Sequence, residues 1–139
     1  PKFNNSVTAP EETRTFKIDK YIKDDKGGQC TTFVQNNTDI SAYTNKLGYS
    51  LAEKHKILNS SPNTFRRGEE EIKKGYTLLL NEGSFGHYAA VKSVDKVNNT
   101  LTLYESNYHN DEKIDNDRKI PIDYTKIYGV YKTEFKEVQ

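Results

Sequence analysis

The hydrophobic periodicity of this chain changes once, at Gly75, and that change limits the fold more than any other feature. Before it, Phe33, Val34, Ile40, Tyr43 and Leu47 recur at helical spacing between Cys30 and about Gly48. The run Asn36-Asn37-Thr38-Asp39 interrupts that segment and supplies a new N-cap. A second helix is predicted over Ser50–Leu58, stopping before Ser60-Ser61-Pro62. After Gly75 the pattern reads as strands over Tyr76–Leu80, Tyr88–Val94 and Thr100–Glu105, the last two joined into a hairpin by Lys96-Val97-Asn98-Asn99. Asn110 to Asp117 reads as a polar excursion, and Ile120, Ile122, Ile127, Val130 and Tyr131 fit one or two final strands, extending toward Phe135. Helices followed by strands predict an α+β domain, with N-terminal helices packed on one face of a C-terminal antiparallel sheet.

The flanks are simpler. Residues 1–13 are polar with a proline at Pro10 and read as a linker or flexible arm, leaving 14–139 as the folded domain. Phe16, Ile18, Tyr21 and Ile22 are expected to form a short extended segment, and Lys23-Asp24-Asp25-Lys26 with Gly27-Gly28 a loop. The chain starts at Pro1 without a Met, so it is expected to be excised from a larger protein whose other domains are its neighbours. Ten Tyr and six Phe supply the bulky area that a chain of 33% hydrophobic residues needs for a core. The 21 basic and 20 acidic side chains are interspersed, which argues against a nucleic-acid partner. No apolar stretch approaches the length of a membrane span, Thr77–Leu80 being the longest candidate.

Cys30 is the only cysteine, so an intrachain disulfide and a thiolate zinc site are both excluded. It lies in Gly28-Gln29-Cys30-Thr31-Thr32-Phe33-Val34, where a glycine turn meets a helix start. Unpaired N–H groups and the helix dipole favour a thiolate there. His87 opens one hairpin strand and Glu105 and Asn107 close the other, so the hairpin brings them together. Glu105 and Asn107 are two apart, which on a strand puts both on the face of the imidazole. Nucleophile, base and orienting polar group are what thiol-based acyl transfer requires. The bland alternatives are a buried core cysteine, a strand-end histidine bonded to backbone and two solvated polar groups.

Gly28-Gln29-Cys30-Thr31, Gly86-His87 before an apolar strand, and Glu105-Ser106-Asn107-Tyr108 resemble, in that order and spacing, the CHAP domain (cysteine, histidine-dependent amidohydrolase/peptidase). Gly75-Tyr76-Thr77-Leu78-Leu79-Leu80 is similar to the strand that precedes the histidine in that family, and the likeness runs from about residue 16 to 135. The chain departs from the family's pattern at Thr32, where Trp or Tyr is frequent, and at Tyr88, where a small aliphatic is usual. The resemblance implies a papain-like fold and a peptidoglycan hydrolase that cuts an amide bond, as an N-acetylmuramoyl-L-alanine amidase or a peptide-bridge endopeptidase. It implies Cys30 as nucleophile, His87 as acid and base, and Glu105 with Asn107 as imidazole partners, the division between those two left open. The oxyanion donor would be the Cys30 N–H, helped by Gln29. No cofactor is implied, and no metal is carried over, because Lys23-Asp24-Asp25-Lys26 lacks the alternating acids of the calcium-binding members. The implied setting is extracellular, at the cell wall, or on a phage particle. The rival reading is a weakly active or inactive CHAP-like module of a phage tail or secretion apparatus.

Four further features read as structural. His55 among lysines is expected to be solvated, and His109 to be a plain loop histidine. The run Arg66–Lys74 holds Glu and Lys at helical spacing, as on an ordinary surface. Tyr88, Tyr104 and Tyr108 are either a sugar-stacking platform or sheet-packing aromatics, packing being the commoner use.

Overall fold

The structure is a computed structural model and describes residues 14–41 and 49–138. The predicted arm over 1–13, and Tyr43 and Leu47 of the predicted helical stretch, lie outside the described residues. Among the described residues two α-helices, α1 (Cys30–Asn37) and α2 (Leu51–Ser60), precede six strands: β1 (Thr64–Phe65), β2 (Thr77–Leu80), β3 (His87–Asp95), β4 (Thr100–Ser106), β5 (Ile114–Pro121) and β6 (Ile127–Tyr131). The strands form one antiparallel sheet in the order β1-β6-β2-β3-β4-β5. The α+β class therefore stands, but the first strand, β1, already precedes Gly75 and pairs with β6.

Strand alternation divides the core in two. Leu79, Tyr88, Ala90, Tyr104 and Tyr131 share one cluster with Phe33 and Val34 of α1 and Leu58 of α2. Leu78, Leu80, Ala89, Val91, Leu101, Leu103, Ile127 and Val130 form the other, with Phe65 and Ile72. A strand buried on both faces loses the polar half of its alternation, hence the unbroken Leu78-Leu79-Leu80. Leu58 approaches β6 so closely that a Cβ built on Gly129 would overlap its side chain.

Helix ends follow their local chemistry. Ser50 and Glu53 make a reciprocal capping box at the start of α2: the Glu53 N–H donates to Ser50 Oγ at 3.2 Å and the Ser50 N–H to Glu53 Oε1 at 2.9 Å. At the predicted break α1 stops, because Thr38 turns extended, donates its hydroxyl to Val34 O at 2.7 Å and bridges Phe135.

Three local expectations are corrected. The segment expected to be extended between Phe16 and Ile22 contains a 3-10 helix, Lys17–Lys20; its turn is closed by the Asp19 N–H on Phe16 O and held by Tyr104 Oη, which donates to Asp19 Oδ1 at 2.6 Å. The polar excursion over Asn110–Asp117 is strand from Ile114 onward. It completes the open edge of β4, and an edge strand tolerates charged side chains that a central one does not. Arg66–Lys74 is not helical: Arg67 and Gly68 take positive φ, and Glu70 and Glu71 pair across the fold with Lys132 and Lys96.

Gly129→Ala is predicted to destabilise the fold by about 1–3 kcal/mol through that overpacking. Urea unfolding measures it, and Leu58→Val should recover part of the loss.

Candidate active site

Cys30 is the first residue of α1, and two glycines set its position. Gly28 has φ +75°, where a side chain would be strained. Gly27 lies against Ser106 and Ile114 with no room for a Cβ, and Ser106 Oγ donates to Gly28 O at 2.7 Å. The turn is thereby fastened to the end of β4, and the helix start emerges beside the first residue of β3.

That residue is His87, 6% exposed, reached through Gly86 at φ +71°. Its Nε2 lies 2.8 Å from Glu105 Oε1, and Glu105 is wholly buried at the far end of the hairpin. Cys30 lies close enough to the imidazole for the two side chains to shift each other's protonation through hydrogen bonding and charge. Burial by itself pushes the thiol up, but the hydrogen bond and charge of His87 outweigh it. The Tyr88 N–H and the Lys54 ammonium add to that, and the net shift is below the usual 9.0. For His87, burial disfavours the imidazolium, yet Cys30 and Glu105 together raise it to about 9. These are the shifts of a thiolate–imidazolium pair. His87 alone would add stability that is full below 6.5 and lost as pH rises through about 9. The lowered Cys30 works in the opposite sense, being stabilising above 9.0 and less so as pH falls. A proton passed between the two largely cancels in folding, so reactivity is the property that reports the pair.

Arg118 was not singled out from the sequence. Its Nε donates to Glu105 Oε2 at 2.7 Å and its Nη2 to Oε1 at 2.8 Å. On the other side Nη1 and Nη2 donate to Glu82 at 2.9 and 3.0 Å, and the guanidinium lies 3.6 Å from the centre of the Tyr108 ring. Burial raises Glu105, while Arg118 and then His87 lower it further, so it stays ionised. The pairing of β4 with β5 shifts register between Leu103 and Glu105, so counting residues along the hairpin does not place Arg118 beside the carboxylate.

Asn107 is not the imidazole partner that strand periodicity suggests. It lies one residue past β4 with φ 69°, so the two-residue alternation no longer applies. Its Nδ2 donates to Gln29 Oε1 at 3.0 Å and its Oδ1 accepts the Glu112 N–H at 2.8 Å. Cys30, His87, Gln29 and Asn107 all line one open cleft of about 860 Å³, walled by residues 82–86 and by Tyr108, His109 and Asn110.

Lys54, 5% exposed, donates to Phe85 O at 2.7 Å, lies 5.5 Å from the Tyr88 ring centre and contributes to the cleft. Of the three tyrosines only Tyr108 reaches the cleft; Tyr88 and Tyr104 are buried in the sheet. His109 lies on the rim against Tyr108, and His55 is half-buried against Tyr128 rather than solvated. Among the described residues no group of three or more His, Cys, Asp or Glu gathers as metal ligands, and no helix is long and apolar enough to cross a membrane.

Comparison with protein-family models, curated proteins and solved structures finds no match to this chain.

Alkylation of Cys30 by iodoacetamide is predicted to stay fast below the usual thiol value of 9.0 and to slow roughly tenfold or more in His87→Ala. Rates against pH, followed by mass spectrometry, measure this.

Proposed function

We propose that this protein is a cysteine-dependent amide hydrolase of the CHAP type, papain-like in architecture, that cleaves peptidoglycan. One observation carries the chemical part: Cys30 and His87 line one open cleft, buried Glu105 lies 2.8 Å from the imidazole Nε2, and the thiol is shifted down and the imidazole up. The substrate class and the setting, at the cell wall or on a phage particle, are supported by the resemblance of the three motifs.

In this mechanism the Cys30 thiolate attacks the amide carbonyl carbon. The oxyanion meets the Cys30 N–H at the start of α1, where helix N–H groups have no intrahelical acceptor. Asn107 holds the Gln29 carboxamide by its oxygen, which leaves the Gln29 amide group as a donor toward the same position. The imidazolium gives its proton to the leaving amine, the C–N bond breaks, and a thioester to Cys30 remains. Water, deprotonated by His87, then releases the acid and regenerates the thiol. Glu105 keeps Nε2 protonated so that Nδ1 faces the thiol throughout.

Purified wall material digested with the protein should yield new amine and carboxyl ends at one type of amide, identified by mass spectrometry. Cys30→Ala should lose this activity while keeping its circular dichroism; activity surviving in that variant sinks the mechanism. Glu105→Gln, which turns an amide N–H toward Arg118, should lower kcat/KM by about 10²–10⁴-fold.

A further inference from the structure

The Glu105–His87 pair has to change protonation during the chemistry proposed above. Glu105 is wholly buried, and a carboxylate whose only cation is an imidazolium becomes an uncompensated interior charge once that proton leaves. Such a pair holds its last proton tightly, which is the wrong property for a group that must hand a proton to a leaving amine. Arg118 removes the difficulty. Its guanidinium remains charged at any working pH and donates to both oxygens of Glu105, so the carboxylate keeps a full countercharge whether or not His87 is protonated.

We propose that Arg118 is a positioning residue for the catalytic pair: a permanent countercharge that fixes the Glu105 carboxylate by two hydrogen bonds and lets His87 cycle between imidazolium and imidazole. This rests on the thiol mechanism. The guanidinium is itself held from two other directions, by both oxygens of Glu82 and by the Tyr108 ring. The remaining charged and titratable groups around the pair are Cys30 from α1, Lys54 from α2, and Tyr108 with His109 beyond β4. Asp115, opposite Glu105 on β5, lies 3.9 Å from Lys23. None of these gives Glu105 a second fixed positive charge in hydrogen-bonded contact.

Arg118→Met tests the idea in the full chain, with Arg118→Lys and Glu82→Gln beside it. The readouts are the His87 ring titration by NMR and the turnover of wall material. In Arg118→Met the His87 titration should move above that measured for the wild-type protein, which is already raised by Cys30 and Glu105. Turnover should fall about tenfold or more, mainly in kcat. Arg118→Lys keeps the charge but loses the fork, so its titration should stay near wild type while kcat falls. Glu82→Gln cuts only the tie to the cleft wall and should leave the titration in place.

An unmoved or lowered titration in folded Arg118→Met overturns the proposal, as does the same upward shift in Glu82→Gln. If Arg118→Met does not fold, Arg118→Lys decides alone, and full kcat there overturns the positioning role. Cys30 alkylation in the wild-type protein separates this outcome from failure of the thiol mechanism. An ordinary thiol pH dependence there refutes the mechanism, whatever the Arg118 variants do to the histidine titration.

Discussion

A fully buried carboxylate, Glu105, is the constraint around which the rest of this site is arranged. Burying such a group without partners costs several kcal/mol, so its ionised state depends on the cations that reach it. Two do so from different strands: His87 from the start of β3 and Arg118 from β5. The antiparallel order β3-β4-β5 makes this possible, because it places the end of the central strand between the two neighbours that supply the positive groups. Charge alternates along the path from Glu82 through Arg118, Glu105 and His87 to Cys30. Arg118 and His87 outweigh burial to hold Glu105 ionised, and His87 in turn draws the Cys30 thiol below its usual value.

The same residues that fix the electrostatics also shape the cleft. Arg118 ties Glu82 on one wall to Tyr108 on the other. Lys54 holds the carbonyl of Phe85 in the first wall and lies close enough to Cys30 to favour its thiolate. The turn through Gly27 and Gly28 fits against Ser106 and Ile114, so α1 starts where the sheet presents the imidazole. Packing and chemistry therefore depend on the same few contacts, and loosening one of them costs both.

Much of this was legible in the sequence, for physical reasons that can be named. The apolar run ending at Leu80 reads as a strand and Ser50–Leu58 as a helix, and both elements form there. His87 and Glu105 were readable because a hairpin makes its two ends neighbours whatever its environment, and Cys30 because a lone cysteine follows a glycine turn at a helix start. Arg118 was not, since it reaches Glu105 across a pairing whose register shifts. Asn107 was misplaced because period-two reasoning ends where the backbone enters positive φ. The 3-10 turn after Phe16 depends on Tyr104, 85 positions away from Asp19, a contact that local propensity does not contain.

Whether Cys30 and His87 form an ion pair can be read from the ultraviolet absorbance of the thiolate followed against pH. An ion pair gives a thiolate signal that persists well below the ordinary thiol value of 9.0 and disappears from neutral solution in His87→Ala. A signal that titrates at the ordinary value in the wild-type protein, unaltered by loss of His87, would contradict it.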